Sequence, residues 1–117
     1  YETKEFLPEN LACIYRLCGD TYKVHIDLDY AKECGYENTF MMGLCTYGFA
    51  VRCIIQQVMP YEPERVKHIS AQIRNLCFPG CDVRIQTWKA EEGTLYFKML
   101  DDQDRVLLNN GLLEYEG

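Results

Sequence analysis

The spacing of apolar and polar positions changes once along the chain, near residue 60, and that change separates a helical first half from a strand-rich second half. After Pro8 the stretch ENLACIYRLCG carries Leu11, Ile14, Tyr15 and Cys18 at helical spacing, with Gly19 as a stop. Asp27 stands where an N-cap belongs, ahead of a short helix ending at Gly35. From about Met42 to Met59, MGLCTYGFAVRCIIQQVM is the most apolar segment, and Pro60 marks its end. Its apolar side chains fall all round the helical wheel. The pattern therefore predicts a central helix buried on nearly every side, with Gly48 admitting a closely packed neighbour.

Beyond residue 60 the segments VKHISAQIRNLCF, DVRIQTWKA, GTLYFKML and RVLLNNGLLEYE are rich in β-branched and aromatic residues and partly alternate. Pro79-Gly80, Glu92-Gly93 and the acidic run Asp101 to Asp104 separate them as turns. Four strands in an antiparallel meander follow. Trp88 and Phe97 read as core, and Arg52 as a side chain that snorkels or pairs with a carboxylate. One long helix against a curled antiparallel sheet is an α+β arrangement, and wrapping the sheet around the helix gives the hot-dog architecture.

Composition narrows the function. At 117 residues, 48% hydrophobic and 26% charged, the chain fits a single globular domain over residues 1–117. A net charge of −6 speaks against a nucleic-acid partner. No apolar run reaches the roughly 18 residues needed to span a bilayer, and YETKEFLPEN has no signal-peptide character, so the expectation is a soluble, intracellular protein without a membrane partner. Seven cysteines without a Cys-x-x-Cys pair, several in apolar stretches such as Cys45 and Cys53, suit a reducing compartment.

Chemistry concentrates in CGDTYKVHID, which sets Asp20 after a glycine, His25 five residues later and Asp27 two beyond that. His25, Asp27 and His68 could supply two imidazoles and a carboxylate to a metal, but a short helix and the long central helix lie between the two histidines, and the metal reading is set aside. There is no phosphate-binding glycine loop and no nucleophile elbow, and Ser70 is the only serine. An acid/base reading remains: a carboxylate and an imidazole in an apolar pocket can share proton transfer over one bound water. Residue types alone do not separate this from a turn carboxylate beside a surface histidine.

A resemblance bears on the choice. YRLCGDTYKVHIDLDYAKECGY is similar to the signature of the MaoC-like, (R)-specific enoyl-CoA hydratases (hydratase 2), and MGLCTYGFAVRCIIQQV, FPG, TWKAEEGTLYFKM and NNGLLEY resemble that family's later elements in order. The likeness is strongest to the second hot-dog repeat of the peroxisomal hydratase carried by the type 2 multifunctional enzymes. It implies addition of water to a trans-2-enoyl-CoA to give an (R)-3-hydroxyacyl-CoA, with no metal or other cofactor. Asp20 and His25 match the family's water-activating pair, and Gly43 the glycine whose amide meets the thioester oxygen. Thr21, Tyr22, Lys23, Val24, Met42, Leu44 and Ile73 are the implied substrate-binding positions. Four of these depart from the family: Tyr22-Lys23 replaces Asn-Pro, Met42 a histidine and Ile73 a phenylalanine. The resemblance further implies an acyl-CoA thioester substrate, pairing as a homodimer or with another hot-dog repeat, and a peroxisomal location in a eukaryote or a cytoplasmic one otherwise. A second reading of the departures is a hot-dog module that binds acyl-CoA or serves as a dimerisation partner without efficient turnover.

Overall fold

A computed structural model describes residues 1–19 and 21–116. Strand β1 (Glu2–Leu7) is followed by helix α1 (Leu11–Tyr15), which tightens into a 3-10 turn over Arg16–Cys18 and stops at Gly19, whose φ of 107° suits glycine. A second 3-10 turn (Lys23–His25), helix α2 (Leu28–Glu33) and the long helix α3 (Gly43–Val58) complete the first half. Strands β2 (Val66–Ile73), β3 (Cys81–Glu91), β4 (Thr94–Leu100) and β5 (Val106–Tyr115) make up the second. Together they form an antiparallel sheet of five strands in the order β1-β3-β4-β5-β2, which with α3 is the hot-dog arrangement.

Two parts of this topology depart from the expected four-strand meander. β3, β4 and β5 are a meander, but β2 pairs with β5 rather than with its sequence neighbour β3, so Pro79-Gly80 lies on a crossing connection and not in a hairpin. The fifth strand, β1, pairs with β3 from Glu2 opposite Gln86 to Leu7 opposite Cys81. Its sequence ETKEFL has half its positions charged, because an edge strand needs only partial cover.

Alternation decides which strand residues reach the core. On β3, Val83, Ile85 and Thr87 point inward, while Trp88 takes the opposite parity and is 49% exposed, with the Lys98 ammonium over its ring. Phe97 of β4 is buried as expected, so of the two aromatic residues read as core only Phe97 is there. Phe97 packs across Gly111 of β5, its cross-strand partner. Leu95, Leu107, Leu108 and Leu113 are fully buried, each worth roughly 1.5–3 kcal/mol relative to exposure.

Helix α3 turns only part of its surface to this core. Cys45, Ala50, Cys53 and Ile54 are buried, whereas Leu44, Gly48, Arg52 and Gln56 form an exposed stripe. The expectation of burial on nearly every side is thus corrected: an apolar residue at each angle does not oblige each angle to be covered. Gly48 has no atom within 4 Å of the place a Cβ would occupy, so no neighbour packs closely there. Arg52 meets the Glu5 carboxylate at 3.7 Å and stacks over Phe49. No helix among the described residues is long and apolar enough to cross a membrane.

The turn between β4 and β5 is built on Asp101. This buried carboxylate accepts hydrogen bonds from the amides of Gln103 and Arg105, each at 2.9 Å, and from the Arg105 guanidinium at 2.7 Å. Burial alone would raise its pKa; the bonds from Arg105 and Gln103 outweigh that and hold it below the usual carboxylate value.

Candidate functional site

The segment around His25 is shaped by short-range bonds. Gly19 turns the chain, and the 3-10 turn that follows is closed by amides of His25, Ile26 and Asp27 bonding back to Tyr22 and Lys23 carbonyls. Three residues per turn direct Val24 and His25 inward and leave Lys23 in solvent. Asp27, the second carboxylate of the motif, caps α2 by accepting the Tyr30 amide at 3.1 Å. Its oxygen is thereby committed to structure.

His25 is held by one decisive contact. Its Nδ1 lies 2.7 Å from the Phe40 carbonyl oxygen, and a carbonyl can only accept, so Nδ1 carries the proton of the neutral ring and Nε2 holds the lone pair. Aromatic edges steady the ring: Phe40 lies 5.1 Å away and Tyr22 5.8 Å, both near perpendicular. Tyr36 in turn packs on Phe40, and Tyr30 on Tyr22.

His25 opens on a cavity of about 160 Å3 between the start of α3 and the segment after β2. Gly43 is the first residue of α3, where an amide has no intrahelical acceptor and lies at the positive end of the helix dipole; no side chain caps this end. The Cδ1 of Ile73 lies 2.9 Å from where a Cβ on Gly43 would sit, so the two elements meet closely here. Phe40, Asn75 and Leu76 complete the outer walls, and Met41, Thr46 and Cys77 the inner end. Burial pushes the Cys77 thiol up to about 12, which keeps it protonated and unreactive as a nucleophile. A wider groove of about 370 Å3 adjoins the cavity, sharing Asn75 and Leu76 with it and reaching Tyr36, Phe78 and Arg105.

The residues nominated from sequence distribute as follows. His25, Gly43 and Ile73 come together at the cavity. Tyr22 meets the His25 ring edge-on and is not among the lining residues, and Thr21 and Lys23 are exposed. Val24 and Met42 are buried at 1% exposure but do not line the cavity. Leu44 is 73% exposed and belongs to a separate apolar groove on the open side of α3. Asp20 lies outside the described residues. His68 is exposed on β2, and among the described residues no three His, Cys, Asp or Glu side chains converge as metal ligands would. Gly80 sits against Glu9 and donates its amide to the Leu7 carbonyl. Phe40, Met41, Thr46, Asn75, Leu76 and Cys77 went unnoticed in the sequence; only Thr46, inside the quoted GLCT, carried a signal.

The chain and its fold match known proteins. The family profile described as MaoC like domain matches residues 2–108. The chain is 33% identical over 112 residues to the probable enoyl-CoA hydratase 2 of Dictyostelium discoideum, covering 94% of this chain and 38% of that protein. It is 30% identical over 105 residues to the peroxisomal multifunctional enzyme type 2 of Mus musculus, covering 90% of this chain but 14% of the mouse protein. Among solved structures, a MaoC-like dehydratase from Phytophthora capsici superposes with a TM-score of 0.95 at 27% identity, over 99% of this chain and 40% of the other. The chain thus spans well under half the length of these three proteins.

Proposed function

We propose that this chain, which belongs to the MaoC-like domain family, adds water to trans-2-enoyl-CoA thioesters to give (R)-3-hydroxyacyl-CoA. The observation that carries the reading is the pairing, in one apolar cavity, of an imidazole of fixed tautomer with the uncapped amide that opens α3.

In this mechanism Asp20 and His25 hold a water molecule against C3 of the enoyl chain. Nε2 of His25 takes a proton as the water oxygen bonds to C3. The C2–C3 π electrons move toward the thioester, whose oxygen becomes enolate-like and accepts a hydrogen bond from the Gly43 amide. A proton delivered from the Asp20/His25 pair to C2 closes the balance: one water crosses one double bond, and no electrons leave the substrate. Proton transfer by a placed side chain is worth about 10²–10⁴-fold, and an oxyanion donor about 10²–10³-fold. The polar arm of the thioester leaves through the groove beside Tyr36 and Arg105. The working unit pairs this fold with a second hot-dog unit, and the peroxisome is the proposed compartment, in keeping with the likeness to the mouse enzyme.

Hydration of crotonyl-CoA, followed by loss of the enoyl-thioester absorbance, tests the reading. Turnover by the parent that falls about 10²–10⁴-fold in both Asp20→Asn and His25→Ala supports it. Variants as active as the parent would overturn it, and a folded parent that binds acyl-CoA without turning it over would instead identify a binding module.

A further inference from the structure

We infer that the cavity beside His25 is a blind acyl pocket that takes short chains of about four to six carbons. This rests on the hydratase reading, which sets the thioester at Gly43 and C3 at His25, so that the rest of the chain must run inward past the imidazole.

The inner end is closed and braced. Met41, Thr46 and Cys77 are each 3% exposed. The Met41 amide donates to the Cys77 carbonyl at 2.7 Å, tying the segment before α3 to the segment after β2. Thr46 donates its hydroxyl to the Met42 carbonyl at 3.3 Å and also stands beside the Cys77 thiol, so the two side chains brace each other at this end. The apolar groove along Leu11, Leu44 and Gly48 shares no lining residue with the cavity. The groove that does share residues joins it at Asn75 and Leu76, on the outer side where the polar arm leaves.

Volume sets the limit. A water molecule occupies about 30 Å3 in the liquid, and a chain methylene is of similar size. The cavity of about 160 Å3 therefore holds roughly five carbons. With C1 at Gly43, itself a lining residue, that is an acyl group of about five carbons. A longer chain has to displace Met41 or Cys77 from a wall that is already bonded across.

The test is kcat/KM for trans-2-enoyl-CoA substrates of four, six, ten and sixteen carbons, with Met41→Ala as the pocket-opening variant. The parent is expected to prefer the four- and six-carbon substrates by about 100-fold or more over the ten-carbon one. Met41→Ala is expected to shift the ten-to-four-carbon ratio by about 10-fold toward the longer chain. Equal efficiency at four and ten carbons in the parent overturns the inference, and so does an unchanged ratio in the variant. The parent series stands alone if Met41→Ala does not fold. Should no substrate be hydrated, the hydratase reading fails separately. Competition between butyryl-CoA and decanoyl-CoA for binding then decides the pocket: tighter butyryl-CoA binding supports the inference, and tighter decanoyl-CoA binding overturns it.

Discussion

The sheet and the segment that carries His25 are held by opposite means. The sheet is redundant: four antiparallel pairings, each of six or seven residue pairs, surround a row of fully buried leucines. Among the described residues, the segment from residue 8 to 42 has two α-helices of five and six residues, too short to persist alone, and its imidazole rests on one carbonyl and two ring edges. Precision at the site therefore depends on few directional contacts resting on a scaffold that many contacts share. Stability and activity should separate accordingly under mutation.

The largest expected effect lies in the sheet. Gly111→Ala would put a Cβ 2.5 Å from the Phe97 carbonyl oxygen and 2.6 Å from its ring, and should cost about 2–3 kcal/mol in urea unfolding. A loss below about 0.5 kcal/mol would show that β4 and β5 yield easily, against the rigidity attributed to them.

Asp101→Asn should cost about 2 kcal/mol by weakening three hydrogen bonds at a buried carboxylate. The sign of its pH dependence follows from the lowered pKa: the folded value lies below the unfolded one of about 3.9. The stabilisation is thus complete above the unfolded pKa and is lost as pH falls through the folded one. The gap between parent and variant stability should be full above about pH 4 and close progressively as pH falls below it. A gap that stays constant with pH would assign the effect to packing instead.

Asp27→Ala tests the other side of the comparison. Loss of the α2 cap should cost only about 1 kcal/mol, yet hydration should fall about 10–100-fold because the turn that aims His25 loosens. Equal losses in both readouts would mean that the site is as well supported as the sheet. Smallest, and of opposite sign, is Gly48→Ala: with open space around the site and a helical backbone, it should add about 0.5–1 kcal/mol.

The same contrast explains what the sequence made legible. β3, β4 and β5 announce themselves because one buried face imposes alternation, and α2 because Asp27 and Gly35 mark its ends. β1 does not, since Glu2, Lys4 and Glu5 leave no apolar period, and the β2–β5 pairing does not, since register between distant segments leaves no local trace. At the site, His25 and Gly43 stood out by chemistry and by resemblance. Met41, Asn75, Leu76 and Cys77 are ordinary residues from separate segments that acquire a role only through proximity. Leu44, nominated by resemblance, is 73% exposed near the start of α3 and does not line the cavity, because helical rotation turns it to the open side.

The position of β1 at the sheet edge also sets an order of events during synthesis. Glu2 pairs with Gln86, which emerges 84 residues later (86 − 2). At about 5–20 residues per second that is a wait of roughly 4–17 s. β2 waits likewise for β5, the last strand to appear. Closure of the sheet is therefore a late, long-range step, and the chain should show the slow refolding expected of high contact order, with β3, β4 and β5 associating first because their turns are local.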